Sequence, residues 1–202
     1  MGRSEPTVGR SAVIACGALA QHVAEIADRR GWSVDVHPLP PLLHNRPERI
    51  AAEVEALAGS LSARYATIAI GYADCGTYGA LDEVCARLRL RRLAGTHCYD
   101  LFAGPARVRE LYEAEPGTYL LTDFLVRSFR RTILAELGLD RHPELREDYF
   151  RHYRRVVWLT QHPTPELRRD AEVAATALGL PLRVIEVGDH GLERELAALL
   201  RA

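Results

Sequence analysis

The sequence predicts an α/β fold of three layers, with helices on both sides of a mostly parallel sheet. Short continuous apolar runs such as "SAVIAC" (11–16) and "ATIAIGY" (66–72) read as strands buried on both faces. Amphipathic segments alternate with such runs along the chain, the pattern of βα units joined by right-handed crossovers. A seam between two βα lobes would fall near residues 116–123. Residues 1–10 read as a disordered tail, and 11–202 as one α/β domain.

Each element has a local reason. "ALAQHVAEIADRRG" (18–31) has helical spacing and ends at a glycine. "WSVDVHPL" (32–39) alternates like a strand, and "PPLLHN" (40–45) is a loop because prolines cannot continue a ladder. "RPERIAAEVEALAGSLSARY" (46–65) is a helix with Pro47 in its first turn. "GALDEVCARLRLR" (79–91) is a helix, "RLAGTHC" (92–98) a short strand, and "PARVRELYEAE" (105–115) a helix opened by Gly104 and Pro105. "GTYLLT" (117–122) reads as a strand or as the start of the helix after it. That helix, "DFLVRSFRRTILAELGL" (123–139), takes Asp123 as its N-cap. "HPELREDYFRHY" (142–153) and "TPELRRDAEVAATALGL" (164–180) are helices, and "RVVWLTQ" (154–160) and "PLRVIEVG" (181–188) are strands. "GLERELAALLRA" (191–202) closes the chain as a helix.

Composition narrows the function. A net charge of -1 gives no electrostatic case for nucleic acid. All 26 basic residues are arginine, so no Schiff-base lysine is available. No apolar run approaches a membrane span, and "MGRSEPTVGR" lacks the apolar centre of a signal peptide, so the expected compartment is the cytoplasm. Four cysteines in such a chain are either buried hydrophobes or reagents. Phosphate loops, dinucleotide fingerprints and the G-x-S-x-G elbow are missing.

Three of the cysteines share a placement. Cys16 follows the first strand, Cys75 sits in "GYADCGTYG" after another, and Cys98 ends "AGTHC". Ligands of open α/β sheets bind beyond the carboxyl ends of the strands, so all three would meet at one edge. Gly17 and Gly76 would let the backbone bend close to a bulky ligand. Helix starts after Cys16 and Cys75 would favour thiolates, the form that binds metal. Three thiolates without a fourth suit a [4Fe–4S] cluster with one open iron, or a zinc ion completed by a histidine. The competing reading makes them core side chains, or leaves one catalytic thiol. Cys85 shares a helical face with Leu81, Val84 and Leu88 and belongs to the core.

Polar companions cluster near the same edge. His97 would serve as a proton donor or fourth ligand, and Asp74 and Asp100 as general acids or bases. His44, Arg46 and Arg49 would bind an anionic group of the substrate or cofactor. Tyr72, Tyr78 and Tyr99 would donate hydrogen bonds or wall the pocket.

Together "VIACGALA", "LPPLLHNRPERI", "IAIGYADCGTYGALD", "GTHCYDLFAG", "PGTYLLTDFLVRSF" and "LGLDRHPEL" resemble domain-of-unknown-function family 1638 of bacteria and archaea, over roughly residues 11 to 190. Members of that family often accompany corrinoid-dependent methyl-transfer proteins. The resemblance therefore implies a corrinoid or methyl-transfer partner and a link to one-carbon or methylamine metabolism. The three-cysteine arrangement is also similar in outline to quinolinate synthase and 2-hydroxyacyl-CoA dehydratase components, whose α/β lobes each supply one cysteine to an open-site cluster. The expected function is a metal-binding protein acting on a small anionic substrate, with a non-catalytic metal- or corrinoid-delivery protein as the alternative.

Overall fold

In the computed structural model, which describes residues 10–201, the chain divides into two compact units, each built on its own parallel sheet. The α/β expectation holds. The tail expected over residues 1–10 lies outside the described residues apart from Arg10, which pairs with Asp35 at 3.0 Å.

The first unit runs to Leu101 and takes back the chain from Gly191 onward. It contains β1 (Ser11–Ala15), α1 (Ala20–Arg29), β2 (Val34–Pro38), α2 (Ile50–Leu61), β3 (Thr67–Gly71), α3 (Ala80–Leu88) and β4 (Arg91–Arg92). The sheet order is β2-β1-β3-β4, and every neighbouring pair is parallel. β1 lies inside that order, and its Ala12, Val13, Ile14 and Ala15 are fully buried, as its unbroken apolar run requires. The loop expected at 40–45 is a 3-10 turn over Pro41–Asn45, followed by a second over Pro47–Arg49. Proline suits the first position of each, since its missing N–H has no helical partner there anyway.

The segment 92–98 departs from expectation. Only Arg91 and Arg92 pair as a strand, and Cys98 opens a short helix, α4 (Cys98–Ala103). Asp100 takes the amides of Thr96 and His97, which turns the chain out of the ladder.

The second unit spans Phe102–His190. After α5 (Pro105–Ala114), its strands β5 (Thr118–Thr122), β6 (Arg155–Thr160) and β7 (Leu182–Glu186) form a parallel sheet in chain order. The division into the two units falls between Leu101 and Phe102, before α5 and β5. Trp158 on the central strand is fully buried and packs in a cluster with Leu121, Val126, Phe129 and Ala171. Between β5 and β6 lie α6 (Asp123–Arg127) and α7 (Arg146–Phe150). The segment 123–139 is thus not one helix: a π-turn over Arg130–Leu134 follows α6. Ser128 Oγ donates back to the Phe124 carbonyl (2.6 Å) and Thr132 Oγ1 to that of Ser128 (3.0 Å). Such back-bonding hydroxyls compete with the regular ladder and bend it. The N-cap is Thr122, whose side chain accepts from Leu125 N, and not Asp123, which is drawn into the core. α8 (Pro165–Leu178) starts as its sequence requires, with Thr164 Oγ1 accepting from Leu167 N at 3.1 Å.

The last helix, α9 (His190–Arg201), belongs to the first unit from Gly191 on. Its Glu193, buried in the carboxylate, accepts from Arg29 and Arg30 at the end of α1.

Candidate metal centre at the strand ends of the first unit

The strand order 2-1-3-4 decides where a ligand can sit. From β1 the chain leaves to one side toward β2, and from β2 it crosses back to β3 on the other side of β1. The crevice between the carboxyl ends of β1 and β3 is therefore the topological switch point, the place where open α/β sheets bind ligands. Cys16 is the residue after β1, and its amide extends the ladder to the Gly71 carbonyl at the end of β3 (3.0 Å). Cys75 lies in the loop that leaves β3. Cys98 follows β4, the neighbour of β3, and His44 follows β2, the neighbour of β1.

Backbone bonds bring the loops together. Asp74 N donates to Gly95 O (3.2 Å) and Cys75 N to Thr96 O (2.7 Å), so the loop after β3 is laced to the segment that carries His97 and Cys98. Cys75 itself has φ +51, the left-handed region that a residue with a Cβ enters at a cost of roughly 1 kcal/mol. Tyr78, three residues on, has the same φ and is 96% exposed. Asp74 holds this conformation. Its carboxylate accepts from Gly76 N (3.2 Å), Thr77 Oγ1 (2.7 Å), Tyr78 N (3.3 Å) and Gly79 N (3.1 Å). Burial alone would raise its pKa. The Thr77 hydroxyl and the Gly79, Tyr78 and Gly76 amides outweigh that and hold it below the usual carboxylate range.

The thiols share one electrostatic neighbourhood. Burial pushes the Cys16 thiol up, against the Ala18 amide, the adjacent Tyr72 hydroxyl and the Leu19 amide. Cys75 is pushed up to about 12, by burial first and then by charge at Cys16 and Asp74. Cys98 is raised well above the ordinary thiol range by burial, then by Cys75 and Cys16. The helix starts expected to favour thiolates are thus overruled by desolvation, and after Cys75 no helix begins until Ala80. Burial thus favours the thiol form, and a metal would have to displace those protons. None of the cysteines is in a disulfide.

The three sulfurs are not gathered as closely as a mononuclear site would hold them. Among the described residues, the sets of three ligating side chains whose donor atoms all lie within 4.8 Å of one another do not include the three cysteines. Tetrahedral zinc at ~2.3 Å from each sulfur would hold its thiolates about 3.8 Å apart. A cubane spreads its thiolates wider, because each binds a different iron.

Tyr72 completes the crevice. It follows β3 directly and is 1% exposed, yet its hydroxyl has no hydrogen-bond partner. Burial, then the neighbouring Cys16 and Cys75 sulfurs, keeps the phenol far above its ordinary range. It faces the Cys16 sulfur without meeting the geometry of a bond. A buried donor left unmade is costly, and protein interiors seldom tolerate one that serves nothing.

The remaining expected residues divide. His44 is half-buried, and burial, then the charge of His97, lowers its pKa, so it stands as a neutral imidazole suited to a ligand role. His97 is exposed and stacks on Tyr99, with ring centroids 6.4 Å apart. Arg46 is exposed, while Arg49 is engaged by Glu53 at 2.8 Å. Asp100 accepts from Thr96 N (3.0 Å), Thr96 Oγ1 (2.7 Å) and His97 N (3.2 Å), all within its own turn. Gly17 has a packing reason for being glycine: a Cβ there would lie 2.5 Å from the Leu39 carbonyl and 2.7 Å from Pro41 N. Gly76 has φ +82 and lies against Pro47. Cys85 is buried in the helix face that also carries Leu81 and Val84.

The influence of His97 on His44 carries no signal in the sequence, because it arises between segments distant along the chain, whereas the strain at Cys75 is held largely by the local carboxylate of Asp74.

A family model described as a protein of unknown function (DUF1638) matches residues 38–196. The match takes in His44, Tyr72, Cys75, His97 and Cys98; β1 and Cys16 precede it. No curated protein and no solved structure matches the chain.

Proposed function

For a chain that belongs to the DUF1638 family, which carries no activity to transfer, we propose a metal-binding function centred on Cys16, Cys75 and Cys98. The three thiols are the protein ligands of a [4Fe–4S] cluster with one iron open to a small anionic substrate. The observation that carries this reading is that Cys16 and Cys75, both buried, and Cys98, half-buried, leave neighbouring strands into one electrostatic neighbourhood beside an unpartnered phenol at the switch point of the sheet. A centre of that kind supplies Lewis acidity at its open iron, suited to elimination, hydration or transfer.

The chain's own residues have separate tasks in this reading. Asp74 and Asp100 shape the loops that present Cys75 and Cys98, and the local bonds of each leave that work as its main one. Proton transfer at the rim falls to His97, which is exposed beside Cys98. Arg46 attracts the anionic group. The neutral imidazole of His44 holds substrate or, in the mononuclear zinc alternative, completes the shell. The thiols fit a reducing compartment, the cytoplasm. Among the described residues no helix is long and apolar enough to cross a membrane. A corrinoid or methyl-transfer protein as partner follows from the family resemblance, and a delivery protein without turnover is the form it would take if no reaction accompanies the metal.

The test is metal analysis of protein purified without oxygen. Iron with matching sulfide and a broad absorption band near ~400 nm is expected. Zinc alone would replace the cluster with a mononuclear site, and no metal after reconstitution would overturn the reading.

A further inference from the structure

We infer that the Tyr72 hydroxyl donates a hydrogen bond to the Cys16 sulfur when that sulfur is a metal-bound thiolate, and so sets the stability and reduction potential of the centre. This rests on the metal reading above. The phenol sits immediately after β3, and Cys16 immediately after the adjacent β1, so the two residues flank the switch-point crevice from neighbouring strands. Gly71 brings those strands close: a Cβ there would lie 3.1 Å from Val13 Cγ1 and 3.2 Å from Ala15 Cα. Tyr72 is 1% exposed and Cys16 3% exposed, so bulk water serves neither group.

As the side chains stand, the phenol and the Cys16 sulfur do not meet the geometry of a bond. A thiol is a weak acceptor, and the hydroxyl has no partner. A thiolate is a charged acceptor, and hydrogen bonds to charged groups are about twice as strong as neutral ones. The same pair therefore switches from an unsatisfied contact to a strong one when metal replaces the thiol proton. Donors to ligating sulfurs disperse negative charge and favour the reduced state of an iron–sulfur centre. Tyr72 is in this sense a positioning residue and does not touch substrate.

Tyr72→Phe in the full chain removes one oxygen and keeps the ring. In metal-free protein the melting temperature is expected to stay level or rise, because an unpaired buried hydroxyl is gone. In metal-loaded protein it is expected to fall. Redox titration without oxygen should place the variant's centre at a more negative potential, by roughly tenfold in the one-electron equilibrium, ~59 mV. If the bound metal is zinc, the expected readout is an affinity loss of about tenfold. Equal shifts with and without metal would make the tyrosine a packing residue and overturn this inference alone, as would an unchanged potential or zinc affinity. Wild-type protein that takes up no metal would overturn both this role and the reading on which it rests.

Discussion

The two sheets end in different ways. At the carboxyl edge of the second unit, Asp123 is fully buried and both its oxygens are used: Oδ1 accepts from Trp158 Nε1 (2.8 Å) and Oδ2 from His162 N (2.8 Å). Gln161 accepts from Asp123 N (3.0 Å) and donates to Leu159 O (2.6 Å). Only the Thr160 hydroxyl among these strand-end groups lacks a partner. At the carboxyl edge of the first unit the carboxylates are also occupied, but by their own loops. What those loops present is a set of protonated thiols and an unsatisfied phenol. The same edge of the same kind of sheet is tied into the core in one unit and into its own loops in the other.

That contrast can be broken by mutation. The largest effect is expected from Cys16→Ala, Cys75→Ala or Cys98→Ala, each of which should remove most of the bound metal while the metal-free protein stays folded. Full iron and sulfide content in all three would return the edge of the first unit to ordinary packing. Next comes Asp123→Ala, which leaves the Trp158 indole unpaired in the interior and removes the acceptor of the His162 amide at its edge, and should cost about 3 kcal/mol in urea unfolding. The folded fraction should bind metal as before, and loss of metal in that fraction would mean the two edges do not have separate roles.

A smaller effect sharpens the comparison within the first unit. Cys75→Gly relieves the left-handed backbone, so metal-free stability should hold or rise by up to ~1 kcal/mol while metal is lost. A clear destabilisation instead would show the thiol to be a core side chain. The smallest effect is in pH. Asp74 has a lowered folded pKa, so its contribution is present above the unfolded value of about 3.9 and is lost as pH falls through the lower folded one. The protection factors of the Gly76, Tyr78 and Gly79 amides, taken against the intrinsic exchange rate at each pH, should fall as the pH falls through that window in the wild type. In Asp74→Asn these amides should already exchange fast at neutral pH. Protection that persists at low pH in the wild type would shift the hold on this loop to its backbone bonds with Gly95 and Thr96.

Much of this was legible in the amino-acid order. The unbroken apolar run of β1, the Thr164–Pro165 start of α8 and the strand-end positions of Cys16 and Cys75 follow from local chemistry: periodicity, capping and the rule that α/β sites lie past strand ends. Other features were not local. Asp123 reads as a helix cap until a tryptophan from β6 claims it, and "RLAGTHC" reads as a strand until Asp100 folds its end into a turn. The order 2-1-3-4 could not be read from alternation alone, because alternation is the same for every order of parallel strands. The sequence by itself determined that strands and helices alternate and that thiols follow the strands. Tertiary structure alone decided that β1 and β3 lie side by side in the order 2-1-3-4, that the loops after β3 and β4 are laced together, and how deeply Cys16, Cys75 and Tyr72 are buried. The physical reason is that burial and mutual charge depend on which distant segments meet, and no local pattern of residues encodes that meeting.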